Sequence, residues 1–324
     1  MNYQFEEKNS LNGKVNTMKV LLTGGAGFIG SHIAEELIKE DYEVVILDSL
    51  VTGQEHNIPA GARFYHIDIC GNLDPIFLAE KPDYVIHQAA QVSVSNSLIH
   101  PKLDGESNII GTINLLNACV RHQTKKFIFA STAALYGNPN YLSIDEEHPV
   151  SPISFYGLSK LNAESYIKLF SDLYGLSYTI LRYSNVYGMR QDTKGEAGVV
   201  AIFIERAITG QSMNIYGDGF QTRDFVFVKD VAKANAAAIL YGDNEIINIS
   251  NNTQTSIKDI VNELNYLLES EVMPIYHEER EGDIRHSCLS NKKALKLLKW
   301  EPRYTFIDGL RETVAFMDQI QLKA

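Results

Sequence analysis

The segment Met18–His32 constrains the fold most, because it joins an apolar strand to a helix through a run rich in glycine. Gly24 permits the tight turn that leaves the strand, and Gly30 lets the following helix pack closely against that strand. Gly27 lets a bound pyrophosphate come close to the backbone. The next apolar strand ends at Asp48, 18 residues after Gly30. This order of strand, glycines, helix, strand and acid predicts a βαβ unit of a parallel sheet.

The same segment predicts a binding site for a dinucleotide. A helix N-terminus presents unpaired N–H groups and a partial positive charge, and both attract phosphate. Asp48 can accept hydrogen bonds from the 2′- and 3′-hydroxyls of a ribose, and its carboxylate would repel a 2′-phosphate. We therefore expect NAD as the cofactor rather than NADP. A glycine turn that binds nothing is the alternative interpretation of the same residues.

Short apolar runs alternate with helical patterns as far as Gly188. The predicted strands are Lys19–Thr23, Glu43–Leu47, Arg63–Ile67, Tyr84–His87, Lys126–Ala130 and Ser177–Arg182. The predicted helices are Gly30–Lys39, Asp104–Arg121 and Ser159–Leu173. This alternation predicts an α/β fold, a doubly wound parallel sheet of the Rossmann type. A smaller, mixed α/β C-terminal lobe is expected beyond it, although the unit of Asp230–Leu240 and Ile246–Ser250 could return to the main sheet.

Charge and composition narrow the class of protein. The formal net charge of -11 argues against nucleic acid or an anionic membrane as a partner. Three scattered cysteines fit a reducing, cytoplasmic location, and no apolar run approaches the length of a membrane span. The nine histidines show no spacing typical of metal ligands, so no metal site is expected. Residues 1–17 are polar and are expected to form a disordered extension.

Tyr156 and Lys160 are four residues apart, so on a helix they lie on one face. An unperturbed tyrosine has a pKa of about 10. A nearby ammonium and a positive nicotinamide ring would lower that pKa, and the phenolate could then take a proton from a sugar hydroxyl. A surface pair on an ordinary helix would show the same spacing. The position favours catalysis, because Thr132 follows the predicted strand Lys126–Ala130 at the edge where such sheets bind ligands.

Further motifs follow in order along the chain. They are Asp68-Ile69, His87-Gln88-Ala89-Ala90-Gln91, Asn108 with Gly111-Thr112, Ser131-Thr132-Ala133-Ala134-Leu135-Tyr136-Gly137, Arg182-Tyr183-Ser184-Asn185-Val186-Tyr187-Gly188, Gly217-Asp218-Gly219 with Arg223-Asp224, and Arg280-Glu281-Gly282-Asp283. With the glycine segment and the Tyr156/Lys160 pair, this set resembles the nucleotide-sugar epimerases of the extended short-chain dehydrogenase/reductase family. The resemblance is strongest to the UDP-glucose and UDP-N-acetylglucosamine 4-epimerases, and it extends from Met18 to about Trp300.

The resemblance implies a role for each matching residue. The positions that bind NAD are Gly24, Gly27, Phe28, Ile29, Gly30, Asp48, Asp68, Ile69, Ala89, Lys160 and Tyr183. The positions that bind the substrate are Thr132, Tyr156, Asn185, Arg223, Arg280, Asp283 and Ser287. Tyr156 would be the acid and base, Thr132 would hydrogen-bond the reacting 4-oxygen, and Lys160 would hold the nicotinamide ribose. Asp68 and Ile69 would flank the adenine.

The activity implied by the resemblance is NAD-dependent 4-epimerisation of a UDP-hexose through a transient 4-keto sugar. Related dehydratases carry Asp-Glu after the catalytic threonine, and decarboxylases usually carry a glutamate there. Ala133 and Ala134 occupy these positions here, and an alanine cannot move a proton. A dehydratase, a decarboxylase, a uronate epimerase and a non-catalytic NAD-binding protein remain as alternatives.

One position bears on the size of the sugar. In the family, the residue four places after the aspartate of the Arg-x-Gly-Asp motif borders the sugar pocket. Here that residue is Ser287, whose small side chain would leave room for a 2-acetamido group. We therefore expect UDP-GlcNAc and UDP-GalNAc to be accepted alongside UDP-glucose and UDP-galactose. A serine on a loop without substrate contact is the alternative.

The resemblance also implies an organisation of the chain. Residues 18–188 with about 228–252 would bind NAD, and residues 189–227 with about 253–324 would bind the nucleotide sugar.

The predicted helices Asp104–Arg121 and Ser159–Leu173 are apolar on more than one face. Their apolar residues include Ile109, Ile110, Ile113, Leu116, Leu161, Tyr166, Ile167 and Phe170. A helix on a sheet needs one apolar stripe, so the surplus predicts a homodimer through a four-helix contact. His87 is expected to be structural rather than a base.

Overall fold

The computed structural model describes residues 17–193, 198–269, 271–279 and 284–321. The strands are β1 Lys19–Thr23, β2 Glu43–Asp48, β3 Arg63–His66, β4 Tyr84–His87, β5 Lys126–Thr132, β6 Ser177–Tyr183, β7 Asn185–Tyr187, β8 Asn214–Tyr216, β9 Thr222–Arg223, β10 Phe225–Phe227, β11 Glu245–Ile249, β12 Thr255–Ser256 and β13 Ile275–His277. The helices are α1 Phe28–Lys39, α2 Asp74–Glu80, α3 Val94–Ile99, α4 Pro101–Gly105, α5 Gly111–Arg121, α6 Phe155–Tyr174, α7 Val199–Ile208, α8 Val228–Leu240, α9 Ile257–Leu267, α10 Lys292–Leu297 and α11 Phe306–Gln321.

Within the described ranges, seven parallel strands form the central sheet in the order β11-β6-β5-β4-β1-β2-β3. From β1 the chain first adds strands on one side, as β2 and β3, and then on the other side, from β4 onward. This reversal leaves a crevice between the carboxyl ends of β1 and β4, which is where ligands bind in open parallel sheets. The sheet confirms the predicted doubly wound fold of the Rossmann type.

Helices cover both faces of this sheet. Leu21 and Leu22 are neighbours on β1, yet each belongs to a different core. Leu22 packs with side chains of α1 and α8, such as Ile33 and Val231, whereas Leu21 packs with side chains of α5 and α6, such as Leu115. Because both faces are buried, the strands are continuous apolar runs rather than alternating ones.

The remaining strands are short and form pairs beside the main sheet. β7 pairs with β10 and β8 pairs with β13, both in parallel, while β9 pairs with β12 antiparallel. Side chains of α7, α9 and α11 share a separate apolar core with these strands. β11 instead pairs in parallel with β6, which confirms the predicted return of the helix–strand unit to the main sheet.

Three helix boundaries differ from those predicted. α1 begins at Phe28, directly after the extended residue Gly27. α6 begins at Phe155, because the side chain of Ser154 accepts the N–H of Gly157 and caps the helix there. The predicted helix Asp104–Arg121 is helical throughout, but it begins earlier, at Pro101, and contains a π-helical turn at residues 106–110 between α4 and α5.

Candidate functional site

The glycine segment makes a close contact between β1 and α1. Gly24 has a φ of +70°, and a Cβ there would lie 2.7 Å from the amide nitrogen of Ala89. A Cβ on Gly30 would lie 2.1 Å from the carbonyl oxygen of Gly24. Larger residues at either position would push the helix and the neighbouring strand end apart. The glycines therefore hold the first turn of α1 against the crevice at the carboxyl edge of the sheet.

The N-terminus of α1 has the properties of an anion site. Gly27 precedes the helix and no side chain caps it. The N–H of Ser31 donates to the carbonyl of Gly27 at 3.1 Å and closes the first helical turn. Phe28 and Ile29 come before this bond, so their N–H groups belong to the set that a helix leaves for an outside acceptor.

Two acidic residues expected at the cofactor have different surroundings. Asp48 is buried at the end of β2, where its carboxylate accepts the N–H groups of Ala26 at 3.0 Å and Leu50 at 2.9 Å. These contacts fix Asp48 beside the glycine segment. Asp68 is exposed after β3, whereas its neighbour Ile69 is buried.

His87 forms part of a buried hydrogen-bond chain under the crevice. Its Nδ1 lies 2.7 Å from the Thr23 hydroxyl, and its Nε2 lies 3.0 Å from the Thr112 hydroxyl. Since Thr112 donates to the carbonyl of Asn108 at 2.7 Å, Nε2 of His87 must be the donor and Nδ1 the acceptor. Burial, aided by the charge of Lys160, lowers the pKa of His87 to about 3. A neutral imidazole held at both nitrogens agrees with the predicted structural role.

The residues predicted to be catalytic lie together at the carboxyl edge of β5. Thr132 ends that strand, and Tyr156 and Lys160 lie in the first two turns of α6. The Thr132 hydroxyl is hydrogen-bonded to the Tyr156 phenol. Lys160 Nζ donates to the carbonyl of Ala130 at 2.9 Å and lies 4.7 Å from the centre of the Phe129 ring. The end of β5 and the start of α6 thus bring a hydroxyl, a phenol and an ammonium close together at the carboxyl edge of the sheet.

Without a bound cofactor, the pKa of Tyr156 is raised rather than lowered. Burial around the phenol raises its pKa to about 12, the bond with Thr132 opposes the rise, and the charge of Asp104 adds to it. Lys160 gives its hydrogen bond to Ala130 instead of to the phenol. Burial also lowers the pKa of Lys160 to about 8, although the negative charges of Asp104 and Glu164 act to raise it. Any lowering of the Tyr156 pKa therefore requires positive charge from a bound group.

Tyr183 lies on β6 directly opposite Thr132 of β5. Its hydroxyl accepts the side-chain amides of Gln88 at 2.9 Å and Asn235 at 2.8 Å, and it is buried. Gln88 follows β4 and Asn235 lies on α8, so this cluster joins three elements. A role for Tyr183 at the cofactor is expected from the sequence, but the two amides that hold its hydroxyl are not.

The residues expected at the substrate come from separate segments that the structure brings together. The N–H of Asn185 donates to the carbonyl of Asp224 at 2.9 Å, and the N–H of Ser287 donates to the carbonyl of Thr222 at 3.2 Å. Arg223 lies between these two acceptors on the chain. Asn185, Arg223 and Ser287 therefore belong to one small cluster of backbone contacts.

Arg280 and Asp283 lie outside the described residues. The segment after them is well anchored, because Arg285 makes a forked ion pair with Asp218 at 2.9 and 2.7 Å. Farther along, the carbonyl of Cys288 accepts the N–H of Ile144 at 2.8 Å. The loop that follows β5, the strand ending at Thr132, thus contacts the segment that carries Ser287.

Several buried polar residues near the site were missed. Asp104 accepts the side-chain amide of Gln91 at 2.9 Å, and Glu164 pairs with Arg182 beneath the catalytic strand ends. Asp224 accepts three backbone N–H groups within the substrate cluster. One signal was present in the sequence, because Glu164 lies four residues after Lys160 and so on the same helix face.

In the described part of the chain, no group of three His, Cys, Asp or Glu side chains is placed to hold a metal ion. Across the same residues, none of the helices combines the length and the apolar character that crossing a bilayer requires.

Residues 20–250 match the family described as the NAD dependent epimerase/dehydratase family. A protein of Methanocaldococcus jannaschii, provisionally named a UDP-glucose 4-epimerase, is 48% identical over 300 residues, which cover 92% of this chain and 98% of that protein.

Solved structures agree over nearly the whole chain. The UDP-glucose 4-epimerase of Thermotoga maritima, determined with UDP-glucose, is 42% identical, covers 94% of this chain and 100% of its own, and superposes with a TM-score of 0.92. The UDP-N-acetylglucosamine 4-epimerase of Methanobrevibacter ruminantium, determined with UDP-N-acetylmuramic acid, is 36% identical with a TM-score of 0.90, and covers 94% of this chain and 99% of its own.

Proposed function

This chain belongs to the NAD-dependent epimerase/dehydratase family, and we propose that it interconverts UDP-hexoses that differ in configuration at C4. The proposed pairs are UDP-glucose with UDP-galactose, and UDP-GlcNAc with UDP-GalNAc. The observation that carries the proposal is the cluster of Thr132, Tyr156 and Lys160 at the carboxyl edge of the sheet. The names of the similar proteins support an NAD-dependent UDP-sugar epimerase as its enzyme class.

NAD is the cofactor of this family, and the residues present fit it. A Cβ on Gly24 or Gly30 would clash with nearby backbone atoms, and no side chain caps α1. The N–H groups at the start of this helix are therefore available to a phosphate. We assign Asp48 to the adenosine ribose, and Asp68 with Ile69 to the adenine. Bound NAD would supply reversible hydride transfer at C4 of the sugar.

Tyr156 is the proposed acid and base. It removes the proton of the 4-hydroxyl and returns it after the 4-keto sugar has presented its other face. Thr132, whose hydroxyl is bonded to the phenol, holds the 4-oxygen beside it. Because burial raises the pKa of Tyr156, the protein itself favours the proton-donating form. Proton removal then depends on the positive charges of the bound cofactor and Lys160.

The nucleotide diphosphate is the proposed ligand of the second lobe, residues 189–227 with about 253–324. Arg223 and Arg280 would make forked, charge-assisted hydrogen bonds to its phosphates. Asn185 and Asp283 would hold the diphosphate and the uridine ribose, and Ser287 would border the sugar. Paired arginines supply the local positive charge that an anionic substrate needs on a chain of net charge -11.

Elimination of water or carbon dioxide is the alternative chemistry on this scaffold. It requires side chains that move protons away from C4. Ala133 and Ala134 follow Thr132 in a short 3-10 turn and cannot move a proton. Because neither of the two residues after Thr132 carries an ionisable side chain, simple epimerisation is favoured over elimination.

We also propose that the protein is a homodimer. Exposed apolar residues on α3, α4, the π-helical turn and α6 form a surface that we name the α6 face: Leu98, Ile99, Leu103, Ile110, Leu158, Tyr166, Leu169 and Leu173. Leu116 and Ile167, which are also apolar residues of these helices, are buried in the main core and so belong to the side that faces the sheet. An exposed apolar surface of this kind favours protein contact.

The dimer is tested by substitution within the α6 face. Leu169→Glu places a charge on the contact and is expected to give a monomer in sedimentation velocity. Leu78→Glu, at an exposed leucine of α2, is the matched control and should leave the dimer intact. A dimer that persists in Leu169→Glu would contradict the assignment of this face.

The proposed function is tested by incubating the purified protein with each of the four UDP-sugars and separating the C4 epimers by chromatography. We expect each pair to reach the same ratio from either side, with product masses unchanged. Denatured protein should release NAD rather than NADP. Absence of turnover, or a product lighter by water or carbon dioxide, would overturn the proposal.

A further inference from the structure

Glu164 and Arg182 form a buried ion pair beneath the catalytic centre. Their side chains are 1% and 4% exposed. Arg182 Nε and Nη2 donate to the two carboxylate oxygens of Glu164 at 3.0 and 2.7 Å, which makes a bidentate fork. The carboxylate also accepts the hydroxyl of Ser131 at 2.6 Å, and the remaining nitrogen of Arg182 donates to the Tyr136 hydroxyl at 2.9 Å. All three nitrogens of the guanidinium and both oxygens of the carboxylate therefore have a hydrogen-bond partner.

Each member of this network is a neighbour of a residue in the proposed site. Ser131 precedes Thr132 on β5, and Arg182 precedes Tyr183 on β6. Ser131 and Arg182 lie directly opposite each other in the β5–β6 ladder, as the two site residues do on the next rung. Glu164 is one helical turn after Lys160 on α6.

The network holds α6 to the sheet at two successive positions. Lys160 Nζ donates to the carbonyl of Ala130 at 2.9 Å, and Glu164 receives the hydroxyl of the next strand residue, Ser131. Apolar contacts alone would let the helix slide, since they have no direction. A bidentate fork sets both distance and orientation, so the helix has one register against the strand ends.

We propose that Glu164 and Arg182 are positioning residues that place Tyr156 and Lys160 against Thr132 and Tyr183 at the reacting centre. The inference rests on the proposed epimerase function, which it extends by two residues. Neither side chain reaches the substrate in this role. Their effect passes through the register of α6 and through the charge of the carboxylate next to the ammonium.

The charges around Lys160 give the proposal an electrostatic consequence. Its neighbours are Asp104 from α4, Glu164 and Tyr156 from its own helix, and the neutral His87 from β4. Burial lowers the pKa of this lysine, and the two carboxylates raise it. Loss of one carboxylate would therefore lower the pKa further. The lysine would lose its proton at lower pH, and the alkaline limb of kcat would move to lower pH.

The test compares Glu164→Gln with Glu80→Gln. Glu80 is a matched control because its side chain is also only 4% exposed and accepts Arg63 at 2.7 Å, Lys19 at 3.0 Å and the Tyr65 hydroxyl at 2.7 Å. Lys19 and Arg63 begin β1 and β3, so this second cluster lies at the opposite, amino edge of the sheet. Both variants should unfold at a lower temperature than the parent protein.

Only Glu164→Gln should alter catalysis. We expect kcat to fall roughly 10- to 100-fold with KM for the UDP-sugar unchanged, the scale of a slightly misplaced catalytic group. The alkaline limb of the pH profile of kcat should move to lower pH in Glu164→Gln. Glu80→Gln should keep the kcat and the pH profile of the parent. Parent-like kcat and pH profile in Glu164→Gln, or equal losses in both variants, would show that the pair has a structural role alone.

A double variant keeps the test decisive if the single variant does not fold. Glu164→Gln with Arg182→Leu removes both charges, so no unpaired charge is buried. It should recover thermal stability relative to Glu164→Gln, and its kcat should stay low because the fork is gone. Recovery of kcat together with stability would overturn the positioning role.

One readout does not depend on turnover. Carbon-13 NMR of labelled lysines, with Lys160→Met to assign the resonance, reports the Lys160 pKa directly. A lower pKa in Glu164→Gln than in Glu80→Gln supports the proposal even if the parent lacks epimerase activity, which would defeat only the proposed function. An unchanged Lys160 pKa would defeat the positioning proposal in either case.

Discussion

Burial acts on Tyr156 and Lys160 in opposite directions, and both shifts favour the neutral side chain. The pKa of the phenol rises to about 12, and the pKa of the ammonium falls to about 8. A phenol that keeps its proton suits the return of hydrogen to the sugar oxygen. In the proposed reaction, positive charge from the cofactor and Lys160 would favour the ionisation of the phenol.

The first prediction concerns Tyr156. Tyr156→Phe keeps the ring and removes the ionisable hydroxyl, so turnover should fall by roughly 10²-fold or more, the scale of general acid–base catalysis. Bound NAD, measured after denaturation, should be retained. Tyr166→Phe is the matched control, because Tyr166 is an exposed tyrosine of the same helix. Near-normal turnover in Tyr156→Phe would rule out this tyrosine as the acid and base.

Ser287 supplies a prediction about specificity. If its small side chain borders the 2-acetamido group, Ser287→Tyr fills that space at an overpacking cost on the order of 1–3 kcal/mol. This corresponds to roughly 5- to 150-fold in kcat/KM for UDP-GlcNAc and UDP-GalNAc. UDP-glucose and UDP-galactose should lose much less, and Ser287→Ala should behave like the parent with all four.

Two outcomes would go against this role of Ser287. Equal losses on both substrate pairs would indicate a general effect on folding or binding. No loss on either pair would mean that Ser287 does not face the sugar.

For single residues, the sequence predicts which side chains share a helix face better than it predicts the contacts that each side chain makes. It predicts Tyr156 and Lys160 on one helix face, and the structure has them there. It does not predict that Lys160 bonds Ala130, because that contact joins residues 30 positions apart. The raised pKa of Tyr156 in the protein without cofactor depends on the same long-range packing. The lowering expected from the ammonium together with the nicotinamide ring stays a prediction.

Between elements, Asp224 connects the parts of the proposed substrate site. Its carboxylate is fully buried and accepts the N–H groups of Asn251 at 3.0 Å, Asn252 at 3.1 Å and Leu289 at 3.0 Å. Its carbonyl accepts the N–H of Asn185. It therefore ties the end of β11, the segment after Ser287 and the start of β7 to the end of β9.

Asp224→Asn should loosen that junction, since the amide nitrogen would face backbone donors in place of an acceptor. A buried unsatisfied group costs about 1–3 kcal/mol, so KM for the UDP-sugar should rise roughly 5- to 150-fold. The NAD content should not change, because the cofactor residues lie on other strand ends.

Asp230→Asn is the matched control for this prediction. Asp230 is also fully buried, but the hydrogen bonds that it accepts from Trp300 and Tyr304 within the described residues, at 2.9 and 3.0 Å, involve none of the residues proposed to bind substrate. The Asp230→Asn substitution should lower the stability of the protein and leave KM for the UDP-sugar unchanged. A KM of parent value in a folded Asp224→Asn protein, or the same rise in Asp230→Asn, would contradict the junction.

The length of an element decides how well sequence predicts it. The main-sheet strands from β1 to β6 are apolar runs of 4 to 7 residues and were predicted within two residues. β9 and β12 have two residues each and show no periodicity, although β9 carries Arg223. The π-helical turn at residues 106–110 was also missed, because its apolar pattern matches that of an ordinary helix.

For the whole molecule, the proposed site requires both parts of the chain. The main sheet supplies the glycine segment, Asp48 and the catalytic cluster, and the short strand pairs supply Arg223 and Ser287. Contacts such as that between Ile144 and Cys288 join the catalytic loop to the second part. A sugar held by its diphosphate would therefore meet Tyr156 at the junction, where it could turn between two orientations.

The most direct test of this account follows hydrogen at C4. UDP-galactose labelled with deuterium at C4 is incubated with the protein in ordinary water, and the product is examined by NMR and mass spectrometry. Reversible oxidation at C4 predicts UDP-glucose of the same mass with deuterium kept at C4, because the hydrogen removed from that carbon returns to it as hydride. Loss of the label to water, or a product lighter by water, would contradict epimerisation by reversible oxidation at C4.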